Sequence, residues 1–551
     1  MKKIFTCFMI LSLVASSFAA DVVISAGKIT NLNWTKDNVY QINGWAWVDS
    51  LDVLTIEEGT VIKGFPGEAE SSSALIVSRG GQIVANGTAS EPIIFTALAD
   101  DLAGSVPDHA AGLWGGVIVL GYGQTNNGSQ KSIEGISADL EFGLFGGSSA
   151  EEVEDQDAGE MSFVSIRHGG TNIGEGNEIN GLTLGACGSG TTFSHIEIIA
   201  NTDDGIEFFG GAPVIDHFLV AYCGDDCYDH DHGVRAQMQF IVAVQDTASW
   251  GECFGEHDGG SGSGESSTFI AHPVSSNATF IGNTSAGDAD KKAFVLRDNW
   301  SGEYHNSIFY DTPIGIYLEW RDDKTSSYDE LIADEIVFAN NIFSNVADNT
   351  AEGICIIVDD QSNNVPIDTA TYKKAQFVAK FNSWNNDLST NPGISVTNPV
   401  PTGDVSGADF TGLSQFTSVS YKGAFDPAID CGHWAGGWTL TYADVDYITD
   451  ASECEEEPPI DGINDEETTA IYTIAYPNPA SYSVTVEFNN VYSETFTFNM
   501  YNVSGSLVKS INNITDSQFH VNVTDLSVGT YTYYLVNMAG TQSSHGKIQV
   551  K

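Results

Sequence analysis

Between Phe193 and Ala248 the chain writes one unit nearly three times. A shift of 22 residues lays Ile196 over Phe218 and Phe240, Ile198 over Val220 and Val242, and His195 over His217 and Gln239. The same shift lays Asp203 and Asp204 over Asp225 and Asp226, and Glu207 over Asp229. So short a period cannot enclose a core of its own. Each unit is therefore one coil of a solenoid, and its apolar strand buries its inner face only when the next coil stacks on it. Strands of adjacent coils lie about 4.8 Å apart, so equivalent side chains form ladders along the axis. Aliphatic ladders fill the interior. A ladder of carboxylates repels itself, and it must take up protons, be screened by water or hold a cation.

The text on either side of this stretch fits further coils. The runs NVYQINGWAWV, ALIVSRGGQIVANG and EPIIFTA, and later AFVLRDNW, YHNSIFYDTPIGIYLEW, DEIVFANNIFSNV and GICIIVDD, are short, alternating or fully apolar, and most carry Gly or Asn within or between strands. These are strand and turn signals at close spacing. The asparagines fit tight turns where amides stack from coil to coil. Trp34, Trp45 and Trp47 are expected to help cap the open first coil, and Trp434 and Trp438 to cap the last. The segment EHDGGSGSGESS after Trp250 has the composition of a flexible insertion. The expected fold class is all-β: a right-handed parallel β-helix over residues 21–454, an acidic, proline-bearing linker over 455–470, and a small Ig-like β-sandwich over 471–551.

Charge and cysteine content set the compartment. Lys and Arg number 21 against 74 Asp and Glu, a formal net charge of -53. Such a surface repels nucleic acid, anionic headgroups and polyuronates, and favours divalent cations or neutral partners. Residues 1–20 carry two lysines, an apolar run and a small-x-small end at Ser17 and Ala19, which is the pattern of a cleaved secretory signal peptide. Cys7 sits inside that run, not at its end as in a lipoprotein. No other run approaches the roughly 20 apolar residues of a transmembrane segment. The mature chain keeps seven cysteines in an oxidising setting. Cys431 with Cys454 is the expected disulfide, closing the end of the solenoid. Cys355 is the expected buried thiol, and Cys223 and Cys227 could pair with each other or with Cys187 and Cys253.

Two resemblances add to this reading. The segment IRHGGTNIGEGNEINGLTLGACGSGT, the doubled-Asp coils and YKGAFDPAIDCGHWAGGWTLTY resemble a family of secreted or surface-anchored β-helix proteins of Bacteroidetes and relatives, over roughly residues 29–445. The C-terminal segment is similar to the sorting domain of type IX secretion cargo. The motifs are Tyr476-Pro477-Asn478-Pro479, then Asn502-Val503-Ser504-Gly505, then Leu526 to Tyr531 with Gly529, and Lys547 in the final strand. That resemblance implies handling by the type IX machinery, outer-membrane translocation, removal of the domain, and release or attachment at the cell surface.

Three chemistries compete for NTDDGIEFFGG and CGDDCYDHDHGVR. Asp203, Asp204, Glu207, Asp225, Asp226, Asp229 and Asp231 could bind calcium, which takes six to eight oxygens that stacked coils can gather from distant sequence. Alternatively, Asn201-Thr202-Asp203 and Gly224-Asp225-Asp226 resemble the catalytic carboxylates of polygalacturonase-type β-helix hydrolases. Asp203 would then work with Asp225 and Asp226, and His232 and Arg235 would match that family's later motifs. Yet His232 follows Asp226 by only six residues and no Arg-x-Lys follows. A polysaccharide lyase would also want a basic residue in a cleft, and basic residues are scarce here. In the third reading Asp and Gly simply serve tight corners, their charges solvated. His195 and His217 are read as a hydrogen-bonded ladder. The expected role is a non-catalytic, calcium-stabilised protein of the exterior that engages a glycan, a surface or a protein, with a carbohydrate-active enzyme as the alternative.

Overall fold

The computed structural model describes residues 20–551 apart from 149–151, 175–176, 246–250, 261–268, 285–289, 360–365, 455–472, 477–478, 489–494, 503–506 and 538–542. The chain divides into two units, Met1–Glu455 and Glu456–Lys551.

The first unit is a parallel β-helix in which, among the described residues, 26 strands join one continuous sheet. Each central coil has three faces. In one, Thr192–Ile199 supplies two faces separated at His195, and Ile206–Phe209 supplies the third. The corner at His195 is a single residue in the left-handed region, and the position recurs along the stack at Phe163, His217, Phe240, Asn277, Asn306 and Asn340. The interior is a column of stacked apolar residues running from Ile29 to Phe381. Two of the faces are covered on the outside as well. Ile133, Ile136 and Phe145 of the excursion after Tyr122 pack on Ile118 and Phe209. A C-terminal strap, residues 390–450, packs Val400, Phe425, Trp434 and Trp438 on Ile199, Leu219 and Val242. Strands buried on both sides read as unbroken apolar runs, which is why FLVA and IVAV show no alternation.

Several expectations are corrected. The 22-residue shift holds from Thr192 to Asp231, where Ile196 pairs with Phe218 and Glu207 with Asp229. The next step is 23, so Phe218 pairs with Ile241 and Asp216 with Gln239. The extra residue lies in the turn His232–Ala236, and Phe240, not Gln239, continues the column of His195 and His217. Trp34 stacks on Tyr40 inside the first coils, whereas Trp45 and Trp47 lie on the flank against Phe142. The far end is closed by the helix Ile367–Ser383, whose Phe377 and Phe381 are buried, with Phe381 meeting Phe343. Trp434 and Trp438 instead clip the strap to His195, His217 and Phe163. Residues 256–258, read as the start of a flexible insertion, belong to the strand Cys253–Asp258, which pairs with Lys292–Arg297.

Cys431 and Cys454 form a disulfide. Cys187, Cys223, Cys227, Cys253 and Cys355 are buried free thiols. Cys187, Cys223, Cys227 and Cys355 fill the solenoid interior as small apolar groups and do not pair.

The second unit packs a three-stranded and a four-stranded antiparallel sheet around Val484, Val486, Phe498, Tyr533 and Ile548. Its strands Ser483–Phe488 and Phe496–Tyr501 alternate buried and exposed residues, as a sandwich requires. Tyr476 donates to Glu487 at 2.9 Å, Pro479 is exposed, and Lys547 lies opposite Thr532 in the last strand, with Gly529 opening the strand before it. Pro477, Asn478 and Gly505 lie outside the described residues, as do residues 1–19 and the expected linker.

Candidate functional site

The carboxylates gather where the turn after Ile199 enters the third face. Asn201 sets this turn: its Nδ2 donates to the carbonyl of Asp204 (2.8 Å) and to that of Ile179 in the coil before (3.1 Å). Gly205 follows because no side chain fits there; a Cβ would stand 2.2 Å from Val220 Cγ1 and 3.1 Å from Cys223 Sγ. One coil on, the same turn carries Asp225 and Asp226. Asp204 Oδ1 accepts the backbone N–H of Asp226 (2.9 Å), and Asp226 Oδ1 accepts that of Cys253 (2.8 Å). The second Asp of each pair thus binds the next coil.

Asp203, Asp204 and Asp225 bring one oxygen each within 4.8 Å of one another, and so do Asp204, Glu207 and Asp229. Five carboxylates therefore form one cluster that shares Asp204. Its depth is graded: Asp204 and Glu207 are buried, Asp203 and Asp229 half-buried, and Asp225 is exposed. Asp229 Oδ1 is shielded from solvent and has no hydrogen-bond partner among the described residues. Asn180 Nδ2 donates to Glu207 Oε2 from the coil before, while its own Oδ1 is shielded and without a partner among the same residues.

Burial pushes Asp204, Glu207 and Asp229 well above the usual carboxylate range. The charges that add to this push are all negative: Asp203, Asp226 and Glu207 on Asp204, and Asp231 and Glu134 on Glu207. Glu134 belongs to the excursion and was not foreseen from the repeat.

Further along the same face the protein supplies its own cations. Arg297 bridges Glu256 and Asp258, with Nε 2.6 Å from Asp258 Oδ1, and Lys292 pairs with Glu252. Glu256 and Asp258 continue the ladder of Asp229 and Asp231, a step that the glycine-rich text after them concealed.

Of the residues singled out from sequence, Asp226 and Asp231 stand outside the cluster. Asp226 is turned to the next coil. Asp231 lies at the far end of the strand Tyr228–Asp231, where burial and then Asp258 raise its pKa to about 7. His232 follows it there, stacked on Phe145 and near Phe209, with its pKa lowered to about 4 by burial. Arg235 lies over Phe269 and donates to the carbonyl of Ile270. Neither basic group is joined to the carboxylate cluster. His195 and His217 are a ladder, as read, but a stacked one: the rings lie 4.5 Å apart, with Ser194 and Asp216 on their Nδ1 atoms.

Comparison with known proteins gives two family matches. A family described as a pectate-lyase like beta helix domain matches residues 27–389, and one described as a secretion system C-terminal sorting domain matches residues 474–551. No curated protein matches. Among solved structures, the chain is similar to the enzymatically active domain of tailspike protein 2 of bacteriophage CBA120. Identity is 10%, with 93% of this chain and 72% of that one covered, at a TM-score of 0.22. The full-length tailspike protein 2 from an Escherichia coli O157:H7 bacteriophage matches at 10% identity, with 93% and 64% covered and a TM-score of 0.20.

Proposed function

The chain belongs to the pectate-lyase-like β-helix family and ends in a type IX sorting domain that marks it for export, and from that premise we propose that the solenoid is a non-catalytic binding scaffold whose acidic turn cluster holds calcium. The observation that carries this reading is the contrast along one face. Where the ladder reaches Glu252, Glu256 and Asp258, Lys292 and Arg297 neutralise it. Around Asp204 and Asp229 the strongest acting charges are carboxylates. A hard divalent cation with all-oxygen coordination relieves that repulsion, and Asp203, Asp204, Glu207, Asp225 and Asp229 would hold it. Against catalysis, Asp203 and Asp225 are neighbours on one turn column rather than opposing walls of a cleft, and His232 and Arg235 are engaged elsewhere. Outside the cell such a scaffold would present its flanks to a glycan, a surface or a protein.

The test is thermal unfolding in calcium and in chelator, for the wild type and for Asp203→Asn with Asp225→Asn, two positions open enough to change without disturbing the core. Calcium is expected to raise the wild-type midpoint by several degrees, as ligand binding to the folded state requires, and to leave the double variant unmoved. Equal wild-type midpoints in calcium and chelator would overturn the reading.

A further inference from the structure

The strap contains a cavity that the acidic ladder does not explain. It has a volume of about 670 Å³, with a floor that includes Val400, Pro401 and His433 and a rim that includes the exposed Asp430, Asp444 and Asp446. His433 is only 4% exposed, yet neither of its ring nitrogens has a hydrogen-bond partner among the described residues. The ring is gripped edge-on by Phe425 (5.1 Å) and Tyr442 (4.9 Å). It forms part of the wall between this cavity and a smaller one lined by His217, Asp426 and Trp434. Native structures seldom leave a buried imidazole unsatisfied, because each orphaned polar atom costs about 1–3 kcal/mol. A group arriving from outside would satisfy it.

We propose that this cavity binds a neutral saccharide of one or two hexose residues. The chemistry selects that class. Three carboxylates at the rim and no lysine or arginine in the lining repel uronates, phosphates and sulfated sugars. Burial holds His433 at a pKa of about 4, so at neutral pH its ring offers one donor and one acceptor. A hydroxyl group can serve either nitrogen, donating to one or accepting from the other, whereas an ammonium group can only donate. The rim carboxylates accept from further hydroxyls, and Val400, Pro401, Pro427 and Val445 offer apolar surface to the C–H face of a pyranose. The volume lies within the range of about 300–1,000 Å³ typical of small-molecule sites. This rests on the reading of the protein as a binding scaffold and names its ligand class, but it does not depend on the cation in the ladder.

The test is titration calorimetry on the full chain with cellobiose, maltose and mannobiose, and with digalacturonate as the anionic control, each in calcium and in chelator. At least one neutral disaccharide is expected to bind in both media, and digalacturonate in neither. Asp430→Asn with Asp444→Asn, which alters only exposed side chains, should weaken binding about tenfold or more, the scale of lost hydrogen bonds to charged groups. His433→Phe keeps the ring shape and removes both nitrogens, and should weaken it likewise. The proposal is overturned if no neutral disaccharide binds the wild type, if binding survives both variants, or if digalacturonate binds as well as the neutral sugars. A calcium-dependent midpoint that persists in the Asp430→Asn, Asp444→Asn variant would leave the ladder reading standing by itself.

Discussion

Glu197 shows what one side chain does for the strap. It stands on the outer side of the strand Thr192–Ile199 and is fully buried. The N–H groups of Leu440 and Thr441 donate to it at 2.8 Å each, Thr441 Oγ1 does so at 2.8 Å, and Ser165 Oγ adds a fourth bond. A carboxylate surrounded by donors holds a distant segment more firmly than a neutral acceptor would. Glu197→Gln turns an amide N–H₂ toward donors, and the expected loss is about 2 kcal/mol or more. Limited proteolysis should then cut within residues 390–450 faster while the solenoid strands stay protected; an unchanged cleavage pattern would mean that Glu197 does not hold the strap. Nothing local in the sequence announces this role. Glu197 reads as one polar residue in IEII, and its partners lie 243 and 244 residues away. The ladder carboxylates were legible for the opposite reason, since doubled Asp residues one coil apart are a local repeat. What the repeat could not show is which way each points, and so Asp226 and Asp231 were counted with a cluster they do not join.

Among the elements, the strands were readable because each coil repeats the same short apolar pattern, and the helix Ile367–Ser383 was not because it occurs once. Its apolar residues Phe377 and Phe381 are four apart on one face, enough to plug the last coil. Replacing Phe381 by alanine is expected to cost about 3–5 kcal/mol and to uncover the end of the stack, a template for pairing with a second copy. Size-exclusion chromatography on heating should show association in Phe381→Ala before the wild type. The asparagine corners were also legible. Asn340 Nδ2 donates to Asn306 Oδ1 at 2.8 Å and Asn385 Nδ2 to Asn340 Oδ1 at 3.2 Å, a chain of amides from coil to coil. Asn tolerates the left-handed conformation these corners need, with φ of 52° at Asn306 and 58° at Asn340. The strap hangs on the same column, through Asn306 Nδ2 to the carbonyl of Asp409 (2.9 Å) and Asn277 Nδ2 to that of Tyr421 (2.8 Å).

At the scale of the whole molecule, two sets of buried groups pull the pH dependence in opposite directions. Asp204, Glu207, Asp226 and Asp229 are raised, and Asp231 and Glu256 stand at about 7, in each case chiefly through burial. The folded state keeps protons that the unfolded chain releases near pH 4, so this stabilisation is lost as pH rises through the folded values, about 7 for Asp231 and Glu256. Burial lowers His195 and His257 to about 3 and His232 and His433 to about 4. Their stabilisation is present above the unfolded histidine value of about 6.5 and is lost as pH falls below it. In chelator the two sets offset each other in mildly acid solution, and the midpoint should fall above about pH 7. Calcium would hold Asp204, Glu207 and Asp229 ionised and remove their part of the carboxylate dependence, so the calcium-induced rise in midpoint should be larger at pH 8 than at pH 5.5. Melting curves at those two values decide it; an equal rise at both would mean that protons and the cation do not compete.

The strap has one more implication. A solenoid can ordinarily gain or lose a repeat, because each coil meets only its neighbours. Here a single segment grips the column at Asn340 through Gly407 and again at Glu197 through Leu440 and Thr441. One coil added or removed between those points would displace one anchor from the other by about 4.8 Å. The strap is a ruler laid along the stack, and it fixes the number of rungs.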